Sequence, residues 1–133
     1  MVKAMDRAGL ESYLMETYPA DTDKLWMKYP GYQVFRRQDN RKWFAVIMDI
    51  TGDKLSLPGR EPLDVVNLKC GPLLAGTLRR EPGFFPAYHM NKENWITVAL
   101  DGSVPEDRIR LLLDVSYDAA APKGRKKSGN PTG

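Results

Sequence analysis

Residues 82–100 read PGFFPAYHMNKENWITVAL, and the organisation of the chain follows from this stretch. Its beginning holds too much proline and glycine for a helix. Its end alternates two sets of side chains, as a strand does: Trp95, Thr97 and Ala99 against Ile96, Val98 and Leu100. The pattern predicts an irregular loop over residues 81–93 that leads directly into a core strand. Long connections without secondary structure are uncommon unless they bind something, so this loop is the first candidate for a functional site.

Residues 32–37 and 42–50 are rich in β-branched and aromatic side chains and predict a β-hairpin. Strict alternation in the second strand predicts two faces: Phe44, Val46, Met48 and Ile50 on one, and Trp43, Ala45, Ile47 and Asp49 on the other. Both faces are largely apolar, which indicates a central strand that is covered on both sides. Further strands are predicted at residues 24–28, 55–57 and 63–69, with a loop at residues 21–23.

Three helices are predicted from caps and apolar spacing. Asp6 precedes the first helix, and Pro72 begins the second, which continues to residue 80. Ser103 is the expected N-cap of the third, with Pro105 just inside it and Glu106 at the capping-box position. The buried face of that helix is Ile109, Leu112, Leu113 and Tyr117. These elements predict an α+β domain in the order α-β-β-β-β-α-β-α.

The length of 133 residues and the 42% content of hydrophobic residues suit one domain, which we expect to span residues 1–122. No run of about 18 apolar residues occurs, so the sequence predicts no membrane span and a cytoplasmic protein. Cys70 and His89 are the only Cys and His in the chain. This count excludes an intrachain disulfide and is too small for a structural zinc site.

The formal net charge of +3 is concentrated at the end of the chain. Four cations, namely Lys123, Arg125, Lys126 and Lys127, lie in residues 123–133, which we expect to form a basic, flexible tail. Without these four charges, residues 1–122 carry a formal net charge of −1. Attraction to phosphate would therefore depend on the tail and on local clusters.

No motif for catalysis is present. The sequence lacks a Gly-x-Ser-x-Gly elbow, a phosphate-binding Gly-x-x-x-x-Gly-Lys-Ser/Thr loop, Gly-x-Gly-x-x-Gly and Glu-x-x-His. Cys70 stands at a strand-helix junction, where a small buried thiol is the commonest outcome. His89 has three open roles, which are structure, ligand contact and acid-base chemistry. We expect a protein without enzymatic activity and without a cofactor.

The hairpin tip is the first of two candidate binding sites. It gathers four cations around Gln38 and Asn40: Arg36, Arg37, Arg41 and Lys42. Such a wing suits a nucleic acid, because cations position the phosphate backbone and amides read base edges. The alternative is a charged hairpin whose charges only prevent aggregation through an exposed strand edge.

The second candidate is an aromatic and cationic group in and around the 81–93 loop: Lys69, Tyr88, His89, Asn91, Lys92 and Trp95. Aromatic faces beside cations suit stacked bases and phosphate, or a planar anionic small molecule. The alternative is that Tyr88 and Trp95 belong to the core and Lys92 to the solvated surface.

Several blocks of the sequence together resemble the MmcQ/YjbR family of small bacterial proteins. They are Lys28-Tyr29-Pro30, Val34-Phe35-Arg36, Lys42-Trp43-Phe44-Ala45, Asn67-Leu68-Lys69-Cys70 before Pro72, Pro86-Ala87-Tyr88-His89-Met90-Asn91-Lys92, Trp95-Ile96-Thr97-Val98 and Ser116-Tyr117. The resemblance covers residues 6–127 and marks Lys69, Tyr88, Asn91, Lys92 and Trp95 as characteristic positions. Family members commonly have Cys-Asp-Pro where this chain has Cys70-Gly71-Pro72, so the acidic cap is absent here.

The resemblance implies a fold similar to CyaY, the bacterial frataxin, with helices on one face of an antiparallel sheet. It also implies DNA binding, with the hairpin as a candidate wing. Frataxin-like iron chemistry would need an acidic ridge on the first helix, which this chain lacks. DNA binding is the leading hypothesis for a monomeric or weakly dimeric protein. The second hypothesis is a pocket around Lys69, Tyr88, Lys92 and Trp95 for an anionic small molecule or a regulatory protein partner.

Overall fold

The computed structural model describes residues 5–122, which form three helices, one 3₁₀ helix and six strands. The elements follow in chain order as α1 (Arg7–Thr17), β1 (Ala20–Asp23), β2 (Gln33–Arg37), β3 (Trp43–Thr51), the 3₁₀ helix (Gly52–Leu55), β4 (Pro62–Lys69), α2 (Pro72–Leu78), β5 (Phe84–Pro86), β6 (Trp95–Ala99) and α3 (Glu106–Ala119). Residues 123–133, where a basic tail is predicted, lie outside the described residues.

The strands form one sheet in the order β1-β2-β3-β4-β6-β5, and every neighbouring pair is antiparallel. The α+β class and the antiparallel sheet are therefore confirmed. The predicted order lacks one strand, because β5 lies inside the segment predicted to be an irregular loop. Phe84 of β5 pairs with Val98 of β6. A three-residue strand is too short to show a period of two in the sequence.

Four further predictions of local structure are wrong. Residues 21–23 belong to β1, whereas residues 24–28 contain no strand. The aspartates that indicated a loop are tolerated in β1 because arginines of the hairpin pair with them. Residues 55–57 form no strand, since the 3₁₀ helix ends there and Ser56 has a positive φ of 65°. Pro105 is the N-cap of α3, and the Ser103 hydroxyl donates to Asp101 instead.

All three helices cover the same face of the sheet, which we call the helical face. Its core joins side chains of α1, α2 and α3 to inward-facing strand residues: Leu10, Leu14, Leu78, Ile109, Leu112 and Leu113 with Phe35, Phe44, Ile47, Val66, Leu68, Ile96 and Val98. Asp6 caps α1 as predicted, because its carboxylate accepts the Gly9 N–H at 2.9 Å. The helical face is the sealed side of the domain.

The opposite face, which we call the open face, is covered by loops. Its core is smaller: Tyr32, Val34, Val46, Met48, Ile50 and Val65. Side chains from residues 24–32 and 87–94, including Trp26, Tyr88 and Met90, pack on this cluster. The prediction that β3 is covered on both sides is confirmed, with helices on one side and loops on the other.

A β-bulge changes the predicted faces of β3. Phe35 of β2 pairs with Ala45, but the next residue, Arg36, pairs with Trp43, so Phe44 is an extra residue without a partner. Because the bulge shifts the alternation, Phe44 joins Ala45 and Ile47 on the helical face. Trp43 moves to the open face, where it packs against the cluster with Val46, Met48 and Ile50.

Candidate ligand-binding cleft

The arginines of the predicted DNA-binding hairpin are all paired with aspartates. The pairs are Arg36 with Asp23 at 2.9 Å, Arg37 with Asp39 at 2.8 Å, and Arg41 with Asp21. The arginines hold the pKa values of the Asp21 and Asp39 carboxyl groups below their usual range. Lys42 is exposed and forms no ion pair within the described residues. Three carboxylates therefore offset most of the charge that the hairpin tip would offer to phosphate.

Arg37 also has a structural role. Its Nη1 donates to the main-chain oxygen of Tyr117 at 2.8 Å, and its guanidinium lies 3.9 Å from the centroid of the Tyr117 ring. Its side chain is only 11% exposed. These contacts tie the hairpin to α3, so Arg37 would have to break them to reach a ligand. The remaining predicted nucleic-acid residues, from Lys123 to Lys127, lie outside the described residues.

A buried polar network holds the residue 87–94 loop on the open face. Asn67 of β4 donates through Nδ2 to the Tyr88 carbonyl at 2.9 Å, and its Oδ1 accepts from the Thr97 hydroxyl. The Tyr88 N–H in turn donates to Thr97 Oγ1 at 2.9 Å. Asn67 and Thr97 are completely buried. Because each of these polar groups is paired, the network fixes the backbone position of Tyr88.

Lys92 and Asn91 close the same loop. Lys92 Nζ donates to the Ala87 carbonyl at 2.9 Å, and Arg79 Nη1 donates to the Lys92 carbonyl at 2.9 Å. Asn91 Oδ1 accepts two main-chain N–H groups of the same turn, from Glu93 at 2.8 Å and from Asn94 at 3.3 Å. Both side chains therefore act on the loop itself, a role that their residue types alone did not reveal.

Lys69 and Trp95 are opposite partners on β4 and β6. Trp95 is 8% exposed, so the interpretation as a core residue is correct for this side chain. Neither residue lines the three cavities described below. Of the six residues predicted to bind a ligand, only Tyr88, His89 and Lys92 border them.

An aromatic cleft of about 410 Å³ lies on the open face. Its walls are Trp26, Tyr29, Tyr32 and Trp43, and the rest of its lining is Val46, Met48, His89 and Met90. The Trp26 ring meets Trp43 and Tyr32 edge-on, with centroids at 5.8 and 5.9 Å. Tyr29 stacks on Tyr32 at 4.7 Å and is 48% exposed, so it stands at the mouth of the cleft.

Two adjoining cavities extend the cleft along the open face. The middle one, of about 340 Å³, shares Tyr29 and Tyr32 with the aromatic cleft. The outer one, of about 220 Å³, shares Lys54 and Tyr88 with the middle one and reaches Lys92. The three cavities thus form a groove whose apolar end is aromatic and whose other end carries lysines.

Tyr32 stands where the aromatic cleft and the middle cavity meet. Burial, together with Tyr88, Tyr29 and Asp49, raises the pKa of its hydroxyl to about 12. Asp49 lines the middle cavity, and its carboxylate lies so close to Gly31 that a Cβ there would overlap it. A negative group is therefore fixed beside the tyrosine wall of the cleft.

His89 is held in an uncommon backbone conformation at the rim of the cleft. Its φ is 61°, which few residues other than glycine adopt. Its ring centroid lies 4.0 Å from that of Tyr88, and the residue is exposed. Its exposed position among the residues that line the cleft is compatible with ligand contact, one of its three possible roles.

The thiol and the carboxylates offer little for chemistry. Burial raises the pKa of the Cys70 thiol, although Arg79 opposes this shift. A raised pKa makes the reactive thiolate scarcer. Within residues 5–122, no group of three or more His, Cys, Asp or Glu side chains is placed to hold a metal ion.

Sequence reasoning missed most of the cleft. Trp26 lies in a segment predicted to be a strand, and strict alternation places Trp43 on the other face of β3 because it takes no account of the bulge. The available signal was the concentration of aromatic residues on either side of Pro30-Gly31, which is Trp26, Tyr29 and Tyr32 within seven residues.

Comparison with known proteins identifies the family. The YjbR family model matches residues 15–119. An uncharacterised Bacillus subtilis protein, YyaQ, is 36% identical over 113 residues, which are 85% of this chain and 96% of that protein. An uncharacterised Escherichia coli protein, YjbR, is 42% identical over 66 residues, which are 47% of this chain and 56% of that protein.

Solved structures share the fold. A crystal structure of a Pseudomonas syringae protein superposes with a TM-score of 0.85 at 43% identity, over 88% of this chain and all (100%) of that one. A Deinococcus radiodurans protein superposes with a TM-score of 0.70 at 24% identity, over 96% of this chain and 88% of that one, and shows likeness of fold alone. The match to the family model and the similarity to YyaQ show that the chain belongs to the YjbR family.

Proposed function

We propose that this protein is a non-enzymatic binding module whose ligand site is the aromatic cleft of the open face. One observation carries the proposal. The helical face of the sheet is sealed by three helices, whereas the open face keeps four aromatic rings around a cavity of about 410 Å³. Aromatic side chains that serve only as core would be expected to pack against a covering element, as Phe44 does.

The size and lining of the cleft suit a small organic group. Ligand sites typically measure about 300–1,000 Å³ and are mostly apolar with a few polar groups. This cleft has the volume, and the polar side-chain groups of its lining residues are the tyrosine hydroxyls, the tryptophan N–H groups and the His89 ring. Met48 and Met90 add flexible, polarisable side chains that adapt to a ligand's shape.

The support behind the cleft is rigid where a ligand would need it. Val46 and Met48 belong to the central strand, and the buried Asn67–Thr97 network fixes the Tyr88 end of the loop that carries His89 and Met90. The opposite wall is formed by a loop, in which Trp26 lines the cleft and the neighbouring Met27 is 98% exposed. A floor built on a strand and held by a buried network favours a preorganised binding site.

The proposal can be tested by nuclear magnetic resonance with uncharged probes, indole and 3,3-dimethylbutan-1-ol. The chain has three tryptophans, of which Trp26 and Trp43 line the cleft and Trp95 does not. We expect both probes to shift the indole N–H signals of Trp26 and Trp43 and to leave that of Trp95 unchanged. Equal shifts at all three, or none at any probe concentration that the protein tolerates, would contradict the proposal.

A matched pair of variants removes a large apolar side chain inside or outside the cleft. Tyr29→Ala takes away a half-exposed wall, and we expect the affinity for indole to fall about fivefold, as for loss of an aromatic contact. Leu73→Ala on α2 removes a side chain that is 90% exposed and lies elsewhere. It should not change the affinity.

Nucleic-acid binding, which the family resemblance implies, is a second candidate. The observation in its favour is that Lys42 projects from the hairpin tip without a carboxylate partner among the described residues. Against it stand the three arginine–aspartate pairs. A salt titration of duplex-DNA binding tests it, since the logarithm of the binding constant should fall by about 0.9 per phosphate contact for each unit of log salt concentration. Removal of residues 123–133 should flatten that slope, and no binding at about 50 mM salt would exclude this function.

The closer likeness to frataxin and a cytoplasmic location remain predictions. Helices on one face of an antiparallel sheet are compatible with the first. Among the residues that the structure describes, no helix is long and apolar enough to cross a membrane. We also expect a monomer or a weak dimer. Measurement of the molecular mass in solution by light scattering tests this prediction.

A further inference from the structure

We infer that the aromatic cleft takes a compact, weakly hydrated cation, namely a quaternary or multiply methylated ammonium group. This inference rests on the proposed function, which leaves the class of ligand open. It is carried by three properties of the described residues: the angles between the rings, the absence of a cation from the lining, and the position of Asp49.

The first property is the shape of the walls. Trp26 stands at 76° to Trp43 and at 69° to Tyr32, so these rings form corners. The stacked rings of Tyr29 and Tyr32 are already in contact with each other at 4.7 Å, so a planar ligand cannot enter between them. A corner of perpendicular rings suits a round group that touches several walls at once.

The second property is the electrostatic character of the lining. An aromatic face is negative, and tryptophan binds cations best among the aromatic residues. The eight residues that line the cleft include no Lys, Arg, Asp or Glu. Among residues 5–122, no Lys or Arg is recorded over these ring faces. In contrast, the rings of Tyr117, Tyr13 and Phe84 already lie under arginines elsewhere in the fold.

The third property is a nearby acid. Asp49 lines the cavity that shares the Tyr29 and Tyr32 wall, and its carboxylate packs on Gly31, the residue before Tyr32. Its charge reaches the Tyr32 hydroxyl, where it contributes to the raised pKa. Lys54 lies in that same middle cavity, on a 3₁₀ helix, and is exposed. Asp49 thus places a carboxylate against Gly31 and beside Tyr32, which complements a cation in the cleft.

The requirement for a methylated ammonium follows from hydration. A primary ammonium holds water strongly and would lose it on entering an apolar cleft whose lining offers no carboxylate. Methyl groups spread the charge and fill the corners between the rings, so the cation gains ring contacts at a smaller cost of desolvation. Aromatic cages that recognise choline or methylated lysine use the same balance.

The experiment compares choline with 3,3-dimethylbutan-1-ol, in which carbon replaces nitrogen and the charge is lost while the shape is kept. Binding to the full chain is followed through the indole N–H signals of Trp26 and Trp43, with Trp95 as the internal reference. We expect choline to bind about tenfold more tightly than the alcohol. Asp49→Asn should lower the affinity for choline several-fold and leave that for the alcohol unchanged.

The outcomes separate this inference from the proposed function. If the alcohol binds as tightly as choline, the cation inference fails and the cleft remains an apolar ligand site. If none of choline, the alcohol, indole and the trimethyl-lysine peptide described below shifts the Trp26 and Trp43 signals, both the inference and the proposed function fail. Trp43→Phe, which keeps a ring, should retain more of the choline affinity than Trp43→Leu, and a loss of folding in Trp43→Leu leaves the comparison of the two probes on the wild-type chain decisive.

The source of the group is resolved by a second arm, in which a short peptide that carries trimethyl-lysine replaces choline. Binding of both choline and the peptide supports the inference and indicates that a free quaternary ammonium group is sufficient for binding. Binding of the peptide alone supports the cage and assigns the group to a modified side chain of a partner. Equal binding of the trimethylated and unmethylated peptides would overturn the inference, because the methyl groups would then contribute nothing.

Discussion

The two faces of the sheet carry similar aromatic side chains, which are enclosed on the helical face and border a cavity on the open face. On the helical face, aromatic rings are enclosed: Phe44 contacts Tyr18 and Tyr117 edge-on, at 5.6 and 4.9 Å, beneath α1 and α3. On the open face, Trp26 and Trp43 meet at a similar distance of 5.8 Å but leave a cavity between them and the tyrosines. The difference lies in what covers them, since a loop can leave space that three helices fill.

This contrast indicates a division of labour between stability and binding. A closely packed core has no room for a ligand, but it supplies most of the favourable free energy of folding. A partly filled cluster supplies less, and in return it offers surface that a ligand can bury. The bulge at Phe44 makes the division possible within one strand, because it sends Phe44 to the sealed side and Trp43 to the open side.

The strongest test of the contrast compares two neighbours on β3. Ile47 is completely buried on the helical face, whereas Met48, 2% exposed, lines the aromatic cleft. We expect Ile47→Ala to lower the free energy of unfolding by about 4 kcal/mol, because it opens a cavity in a packed core. Met48→Ala only enlarges a cavity that exists already, and we expect about 2 kcal/mol. Urea unfolding of both variants measures the difference, and equal losses would show that the two faces are packed alike.

A smaller effect on stability is expected at the buried network of Asn67, Thr97 and Tyr88, which holds the loop of the cleft on the sheet. Asn67→Ala leaves the Thr97 hydroxyl and the Tyr88 carbonyl without their buried partner, which should cost about 2 kcal/mol. The loop should also loosen. The amides of residues 88–94 should therefore exchange hydrogen faster in the variant than in the wild type, whereas those of α3 should be unchanged. Thr97→Val, which removes the other half of the network, is the matched variant. Unchanged exchange in both would mean that the loop is held by other contacts.

Most of the scaffold could be predicted from the sequence, because long periodic segments carry a strong signal. The central hairpin, β4, β6 and the buried face of α3 are where alternation and helical spacing placed them. The third-helix prediction is correct for Ile109, Leu112 and Leu113, which are buried. The caps and short strands were less predictable, since β1 depends on arginines far along the chain and β5 has three residues.

The site was less predictable than the scaffold because its residues are brought together by tertiary structure. Trp43 reaches the cleft only through the bulge, and Trp26 reaches it only because residues 24–32 fold back over the sheet. Conversely, Lys92 and Asn91 looked like ligand groups but bond to their own loop. A residue type indicates what a side chain can bind, whereas the fold decides whether the ligand is another part of the chain.

The smallest expected effect concerns alkaline pH and compares one tyrosine from each face. Burial raises the pKa of Tyr18, which hydrogen-bonds Asp114, and raises that of Tyr32 to about 12. An unfolded tyrosine ionises at about 10, so the unfolded chain releases these protons before the folded one does. Stability is therefore fully present below pH ~10 and falls as the pH rises from ~10 towards the folded values.

Tyr32→Phe should reduce this fall between pH ~10 and ~12, and Tyr18→Phe should reduce it at least as much, because the latter hydroxyl lies beside a carboxylate. The measurement is the urea midpoint of each variant at pH 8 and pH 11, with the spectrum of tyrosinate as a check on ionisation. A bound cation in the cleft would favour ionised Tyr32 and lower its pKa, so at pH 11 choline should raise the urea midpoint of the wild type more than that of Tyr32→Phe, which gains only from binding to the folded chain. If choline raises the two midpoints equally, Tyr32 does not face the ligand. The cation then does not touch the wall that the cleft shares with the middle cavity.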